Sequence, residues 1–405
     1  MKEQVTRPAR ILVIHEYYRL RGGEDQSVEI EIELLQNKGH IVDCWLPENL
    51  SLNGLSPVGK ASLAWQSVWS RDSYKKLLLL VQTHGPDVVH FHNTLPIISP
   101  SAIHAAHDAG LPVVMTLHNY RLMCPVATYL RDGRVCEDCR THSLARSVLH
   151  GCYRGSRVQT ATVAMMLAAH RYLGTWDRCV DAYIALTEFM RSKVIEGGLP
   201  REKVHVRGNV VSSVATADTG MGEGAVFVGR LSAEKGVATL LHAAPMLSGT
   251  RLRIVGSGPM DALVSEAARN PGASIDWLGQ LPQAQALEVV ASSRVLIFPS
   301  ICYETFGLSI VEAFACGVPV VASRLGAMAE IVTDGHDGYL VTPGDAPELA
   351  DRVRLLMTDD ALRERMGRAA RATYEARYST DRCYEKLMEI YTLAIESARA
   401  RRTAA

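Results

Sequence analysis

Short runs rich in valine and isoleucine recur along the chain, and between them lie longer stretches whose apolar residues return every three or four positions. The runs suit parallel strands buried on both faces, and the stretches between suit the helices that cross from one such strand to the next. In the first half the pattern predicts strands at residues 10–15, 40–45, 87–92, 113–118, 182–186 and 204–206. A helix over about residues 27–38 fits between the first two, with Val28, Ile32 and Leu35 on one face and Gly39 as its stop. Residues 212–224 (SSVATADTGMGEG) are small and polar without apolar period, and read as a linker. A second series follows, with strands at 225–228, 251–255, 274–278, 295–299, 318–322 and 339–341 and helices such as 237–244 and 284–291. Residues 362–398 read as mostly helical and end in a basic cluster at Arg399, Arg401 and Arg402. The expected fold is α/β: two Rossmann-like domains, 1–211 and 225–372, whose parallel sheets face a central cleft, and a helical tail over 373–405 packing back on the first. Ligands are expected beyond the carboxyl ends of the strands.

Composition narrows the function more than the fold. Lys plus Arg equals Asp plus Glu at 43 each, so no global field draws the chain to nucleic acid. The polar N-terminus and the short apolar run at 11–14 fit neither a signal peptide nor a membrane span, which makes the cytoplasm the expected compartment. Nine scattered cysteines suit a reducing environment and place metal ligation ahead of disulfides.

The densest chemistry lies in residues 295–323, VLIFPSICYETFGLSIVEAFACGVPVVAS. A strand, a loop over 300–306, a helix from about 307 to 316 and a second strand put the loop at the carboxyl edge of a sheet. The unpaired amides of Gly307, Leu308 and Ser309 at the helix start favour an anion such as phosphate, and Gly307 lets it approach closely. Glu304 and Glu312, with seven residues between them, bracket that site. Carboxylates beside a pyrophosphate would repel it unless they bind hydroxyl groups, and the hydroxyls of a ribose and a transferred hexose are the natural partners.

This stretch resembles the Glu-x7-Glu signature of the retaining glycosyltransferases of family 4, in the form Glu304-Thr-Phe-Gly-Leu-Ser-Ile-Val-Glu312 with Gly317-Val-Pro-Val-Val after it. The resemblance implies a GT-B fold, Glu304 near the transferred sugar, Glu312 on the nucleotide ribose and the backbone of residues 306–309, Phe306 to Ser309, on the pyrophosphate. A second match is Gly229-Arg230-Leu-Ser-Ala-Glu-Lys235-Gly236, whose Arg230 and Lys235 are implied to neutralise the diphosphate in place of a divalent metal. Weaker matches are Gly256-Ser-Gly-Pro, 278–279, 298–300 and 338–341. In the first domain Gly22 and Gly23 stand where the family has a glycine pair near donor phosphate and acceptor, and His118 ends a strand where the family has a histidine. His118 could donate to the transferred sugar or accept from the acceptor hydroxyl. Departures occur at Gly326-Ala327, where two glycines are commoner, and at Gly208-Asn209, where Pro-Asn is usual; both bear on sugar preference.

Cys124, Cys136, Cys139 and Cys152 fall within 29 residues in a polar segment that reads as a loop without a core. Structural zinc on four thiolates is the expectation, with ordinary thiols or an iron–sulfur cluster as the alternatives. The expected function is transfer of a hexose, with retention, from a UDP- or GDP-linked donor to a hydroxyl of a glycan, lipid-linked or small-molecule acceptor in surface polysaccharide synthesis, without a catalytic cofactor. Peripheral contact with the inner face of the membrane goes with a lipid-linked acceptor. Rival readings are a nucleotide-sugar epimerase of the same architecture, which would not need Arg230, Lys235, Glu304 and Glu312 together, and a silent scaffold, which would not keep them. An NAD enzyme lacks its Gly-x-Gly-x-x-Gly after the first strand.

Overall fold

Continuous apolar runs become the central strands of two parallel sheets, because only a strand covered on both faces can afford no polar position. The structure, a computed structural model, describes residues 8–18, 21–48, 56–211, 222–247, 249–270 and 274–404. The expected linker falls mainly on residues 212–221, outside the described residues.

The chain divides into two units, one of residues 1–129, 137–208 and 383–405 and one of 130–136 and 209–382. The first unit carries β1 (Arg10–Ile14), β2 (Ile41–Trp45), β3 (Val88–Phe91) and β4 (Val113–Leu117). It continues with β7 (Ala182–Ala185) and β8 (Val204–Val206), whereas a hairpin of two-residue strands, β5 (Leu130–Arg131) and β6 (Arg134–Val135), falls in residues 130–136 of the second unit. The six long strands are all parallel, in the order β2-β1-β3-β4-β7-β8. β3, β4 and β7 are buried at every residue, whereas the edge strand β2 is open along most of its length. The core joins Ile11, Val13, Val88 and Val114 to Leu387, Ile390, Tyr391 and Ala394 of the C-terminal helix Thr380–Ala404.

The second unit carries β9 (Ala225–Val228), β10 (Leu252–Val255), β11 (Ile275–Gly279), β12 (Val295–Phe298), β13 (Val320–Ser323) and β14 (Gly338–Val341), parallel in the order β11-β10-β9-β12-β13-β14. The strand order reverses between β9 and β12 here, and between β1 and β3 in the first unit. In open α/β sheets ligands collect at that reversal, beyond the carboxyl ends of the strands. The loops that matter are therefore those after β9 and β12 in one unit and after β1, β3 and β4 in the other.

The cysteine-bearing segment is better ordered than its polar sequence suggests. Tyr120 and Tyr129 are buried with ring centroids 5.0 Å apart, and Met123 and Leu144 are buried as well. The expectation of a segment without a core is thus corrected: its aromatic residues are too far apart in sequence to give a period, yet they pack together. No helix of the described residues is long and apolar enough to cross a membrane.

Candidate functional site

The helix Leu308–Ala315 is apolar on nearly every side, and Ile310, Val311, Ala313 and Phe314 are fully enclosed. A helix hydrophobic all round belongs inside the protein, so its buried carboxylate, Glu312, stands out. Burial raises Glu312 to about 7, opposed only in part by the Gln283 amide, which donates to its Oε1 at 3.4 Å. Gly307 precedes the helix with φ of 81°, a left-handed conformation that few other residues adopt cheaply. That turn starts the helix abruptly and leaves the first amides, those of Leu308 and Ser309, without intrahelical partners. Phe306 is buried, its ring edge against Tyr378 at 5.7 Å.

At the reversal point the loops after β9 and β12 are joined by an ion pair. Lys235 Nζ donates to Glu304 Oε1 at 2.8 Å and to Oε2 at 2.9 Å, and the Ser300 hydroxyl donates to Oε1 at 2.7 Å. Burial works against the Lys235 charge, but the Glu304 carboxylate outweighs it and holds the ammonium above the usual lysine range. The approach of the two loops depends on Gly236, whose φ is 71° and where a Cβ would come within 1.9 Å of the Pro299 carbonyl oxygen. Backbone follows backbone there, since the Ile301 amide donates to the Glu234 carbonyl at 3.0 Å. Cys302 is buried beside the pair, its thiol pushed up by burial and then by Glu304. Arg230 is exposed and forms no ion pair among the described residues. Gly256, expected from the family resemblance on the donor side, lies at the end of β10. Its amide donates to the Gly279 carbonyl at 2.7 Å and its carbonyl accepts from the Trp277 indole at 3.0 Å, so the glycine packs one loop against the next.

In the first unit Gly22 caps the helix Gly23–Asn37, and its amide donates to Asp25 Oδ2 at 3.0 Å. Asp25 also holds His15 Nε2 at 2.8 Å, tying the helix start to the end of β1. His118 follows β4 as expected, with its Nε2 2.9 Å from His92 Nδ1, and both rings line a cavity with Asn93, Asn119 and Trp176. Burial, then the neighbouring His15, push His118 down to about 3, so its ring is neutral. Glu24 holds the Tyr18 hydroxyl at 3.1 Å and the Asn119 amide at 3.3 Å, and burial raises its carboxyl. Sequence reasoning missed Ser300, Gln283, Glu24 and His92. Only His92 carried a signal, since it ends a strand at the reversal point. Of the four cysteines, Cys124 is buried in the turn after β4, while Cys136, Cys139 and Cys152 are partly buried around the helices Asp138–Thr141 and Ala145–His150.

Known proteins are similar to this chain over most of its length. Profiles described as "Glycosyltransferase Family 4" and "Glycosyl transferases group 1" match residues 22–213 and 220–373. The phosphatidyl-myo-inositol mannosyltransferase of Mycobacterium leprae is 30% identical over 317 residues, 75% of this chain and 73% of that one. The chain belongs to glycosyltransferase family 4. An uncharacterised glycosyltransferase of Methanocaldococcus jannaschii is 23% identical to this family 4 chain, covering 90% of it and 92% of the relative. Among solved structures, HepE of Anabaena in complex with UDP-glucose has a TM-score of 0.64 at 20% identity, over 94% of this chain and 98% of that one. The sucrose-phosphate synthase of Thermosynechococcus elongatus reaches 0.68 at 18% identity, over 98% and 100%. These likenesses establish the GT-B fold of this glycosyltransferase.

Proposed function

We propose that this family 4 glycosyltransferase transfers a hexose, with retention of configuration, from a UDP- or GDP-linked donor to a hydroxyl of a glycan or lipid-linked acceptor in surface polysaccharide synthesis. The observation that carries the reading is the Lys235–Glu304 pair at the strand-order reversal, beside a helix start that presents amides to an anion. In this reading Lys235 and Arg230 take the diphosphate, the amides of residues 306–309 bind its β-phosphate, Glu304 orients the transferred sugar, and Glu312 accepts from the ribose hydroxyls. The names of the mannosyltransferase relative and of the UDP-glucose complex of HepE favour mannose or glucose as the sugar.

No side chain is then needed as a nucleophile. The departing phosphate oxygen helps deprotonate the acceptor hydroxyl on the same face of the sugar, and the two cations stabilise the charge growing on the leaving group. The site works without a divalent metal, and the protein acts in the cytoplasm, touching the inner face of the membrane when its acceptor is lipid-linked. Structural zinc on the thiolates of Cys124, Cys136, Cys139 and Cys152, which are not gathered into a metal-binding group among the described residues, would brace the segment after β4. The test is a panel of UDP- and GDP-hexoses scored by thermal shift and by donor hydrolysis. One base and one sugar should stabilise the protein and be turned over. A panel in which no donor binds would refute the reading.

A further inference from the structure

The first unit carries an outer surface that the reaction above leaves without a role. Residues 139–176 hold Arg140, Arg146, Arg154, Arg157 and Arg171 but neither Asp nor Glu, in a chain with as many acids as bases. Residues 49–71 lack acids too, and contain Lys60, Trp65, Trp69 and Arg71. The two stretches meet in the fold. The helix Pro57–Val68 packs on the helix Arg157–Tyr172, where His170 Nε2 donates to the Val68 carbonyl at 2.7 Å, and the short helix Ala145–His150 packs on that helix as well.

The helix Arg157–Tyr172 is apolar on two faces. Inward, Ala164, Met166 and Leu167 are buried. Outward, Val158, Met165 and Tyr172 return every seventh residue, hence along one stripe of an α-helix, and are 78%, 50% and 92% exposed. Leu149 and Trp65, on the two helices packed against it, are exposed as well. A helix apolar on both faces belongs under cover, and a contiguous exposed apolar surface marks an interaction site. The charges say what covers this one. Arg140 pairs with Glu137, and Arg171 donates to the Leu122 carbonyl at 2.8 Å, but Arg146, Arg154 and Arg157 are exposed and form no ion pair among the described residues.

Cations and apolar side chains mixed on one acid-free surface suit a partner that offers negative charge and hydrocarbon together. A bilayer with anionic headgroups does so: apolar side chains enter the acyl boundary, aromatic rings settle at headgroup level, and arginines reach the phosphates. A polyanion in water would take the arginines and leave the apolar stripe wet. A second copy on a two-fold axis would set the same arginines against each other. We propose that the helices Pro57–Val68, Ala145–His150 and Arg157–Tyr172 form a docking surface for an anionic phospholipid bilayer. Met166, on the inner side of the central helix, lines the cavity shared by His118, Asn119 and Trp176. Docking therefore brings that cavity to about 10 Å, the width of one helix, from the lipid. This names the surface for the membrane contact in the reading above, and rests on that reading for the acceptor alone.

The experiment is flotation of the full chain with vesicles of phosphatidylcholine alone or with phosphatidylglycerol added. The wild type should bind the mixed vesicles, bind the neutral ones weakly, and lose affinity as salt rises. Arg146→Gln with Arg157→Gln should weaken binding to the mixed vesicles by about 25-fold, about fivefold for each arginine. Val158→Ser with Met165→Ser should weaken it by at least about tenfold. These four side chains are exposed and lie outside the donor site, so melting temperature and donor hydrolysis should stay unchanged. Equal binding to both kinds of vesicle, binding to neither, or double variants that bind as the wild type overturn the proposal. Without vesicle binding, a dimer broken by the Val158→Ser, Met165→Ser variant would assign the surface to a second copy, and heparin binding lost in the arginine variant would assign it to a soluble polyanion; either result overturns the bilayer. A protein that docks as expected but transfers no sugar would sink the glycosyl-transfer reading and leave the surface standing. One that glycosylates a soluble acceptor but floats with no vesicle would sink the surface alone.

Discussion

Replacing Glu312 by glutamine keeps the shape of the helix Leu308–Ala315 and removes one buried ionisation. Glu312 titrates at about 7 in the folded protein against 4.5 for an ordinary glutamate, because burial penalises the charged form. The unfolded chain therefore releases this proton first as pH rises, and native stability falls between those two values and is level above them. From pH 5 to pH 8 the wild type should lose roughly 2 to 3 kcal/mol relative to Glu312→Gln, at about 1.4 kcal/mol for each pH unit fully inside the window. Urea unfolding of both proteins at pH 5, 6, 7 and 8, read at this helix by pulsed hydrogen exchange, isolates the second unit. Parallel pH profiles for the two proteins would refute the burial argument. The same carboxylate gives donor binding the opposite slope. Ribose hydroxyls donate best to the ionised form, so nucleotide-sugar affinity of the wild type should rise by up to about tenfold per unit towards pH 7 and level off, while the variant stays flat and weaker. The variant is thus expected to be the more stable protein at pH 8 and the poorer binder.

Glu304→Gln and Lys235→Ala should each lower turnover by at least about a hundredfold while circular dichroism is unchanged, the usual scale for one lost electrostatic stabiliser; near-wild-type rates in either would remove the pair from the site. Gly236→Ala forces a Cβ against the Pro299 carbonyl at a φ of 71°, and a cost of about 1 to 3 kcal/mol should appear as a lower melting temperature together with loss of turnover. EDTA should leave a short transfer assay unaffected, and rescue by magnesium or manganese after abolition would contradict the role of Arg230 and Lys235. Protein purified without added metal should carry close to one zinc per chain by elemental analysis, falling in the Cys136→Ser, Cys139→Ser double variant with loss of acceptor use; fully active metal-free protein would return these residues to ordinary thiols.

The sheets were legible because strands buried on both faces cannot hide their pattern, and the misreadings lie at particular ends. β12 stops at Phe298 and β13 starts at Val320 because Pro299 and Pro319 lack an amide to continue a ladder. The helix expected from residue 27 starts at Gly23. Periodicity sees only an apolar face, and the added turn is polar, with Asp25 closing back on the Gly22 amide. β5 and β6 are two residues long, too short for any period. The donor motif was readable as a run of sequence, since Gly307 to Glu312 form one turn and one helix. What the sequence hid were partners brought from afar: Gln283 to Glu312, 29 residues apart, and Arg207 to Glu31, 176 apart. No local pattern encodes such pairs. The bond from the Gly256 amide to the Gly279 carbonyl was hidden for the same reason.

The central claim, retaining transfer from a nucleotide-linked hexose, is tested most directly by a proton NMR time course of the anomeric signals, run with each α-linked UDP- or GDP-hexose that stabilises the protein. The first product to accumulate, whether glycoside or hydrolysed sugar, should be the α anomer, and the signal should be lost in Glu304→Gln. Initial appearance of the β anomer would contradict retention, and a bound donor that is never consumed, with or without acceptor, would contradict transfer itself.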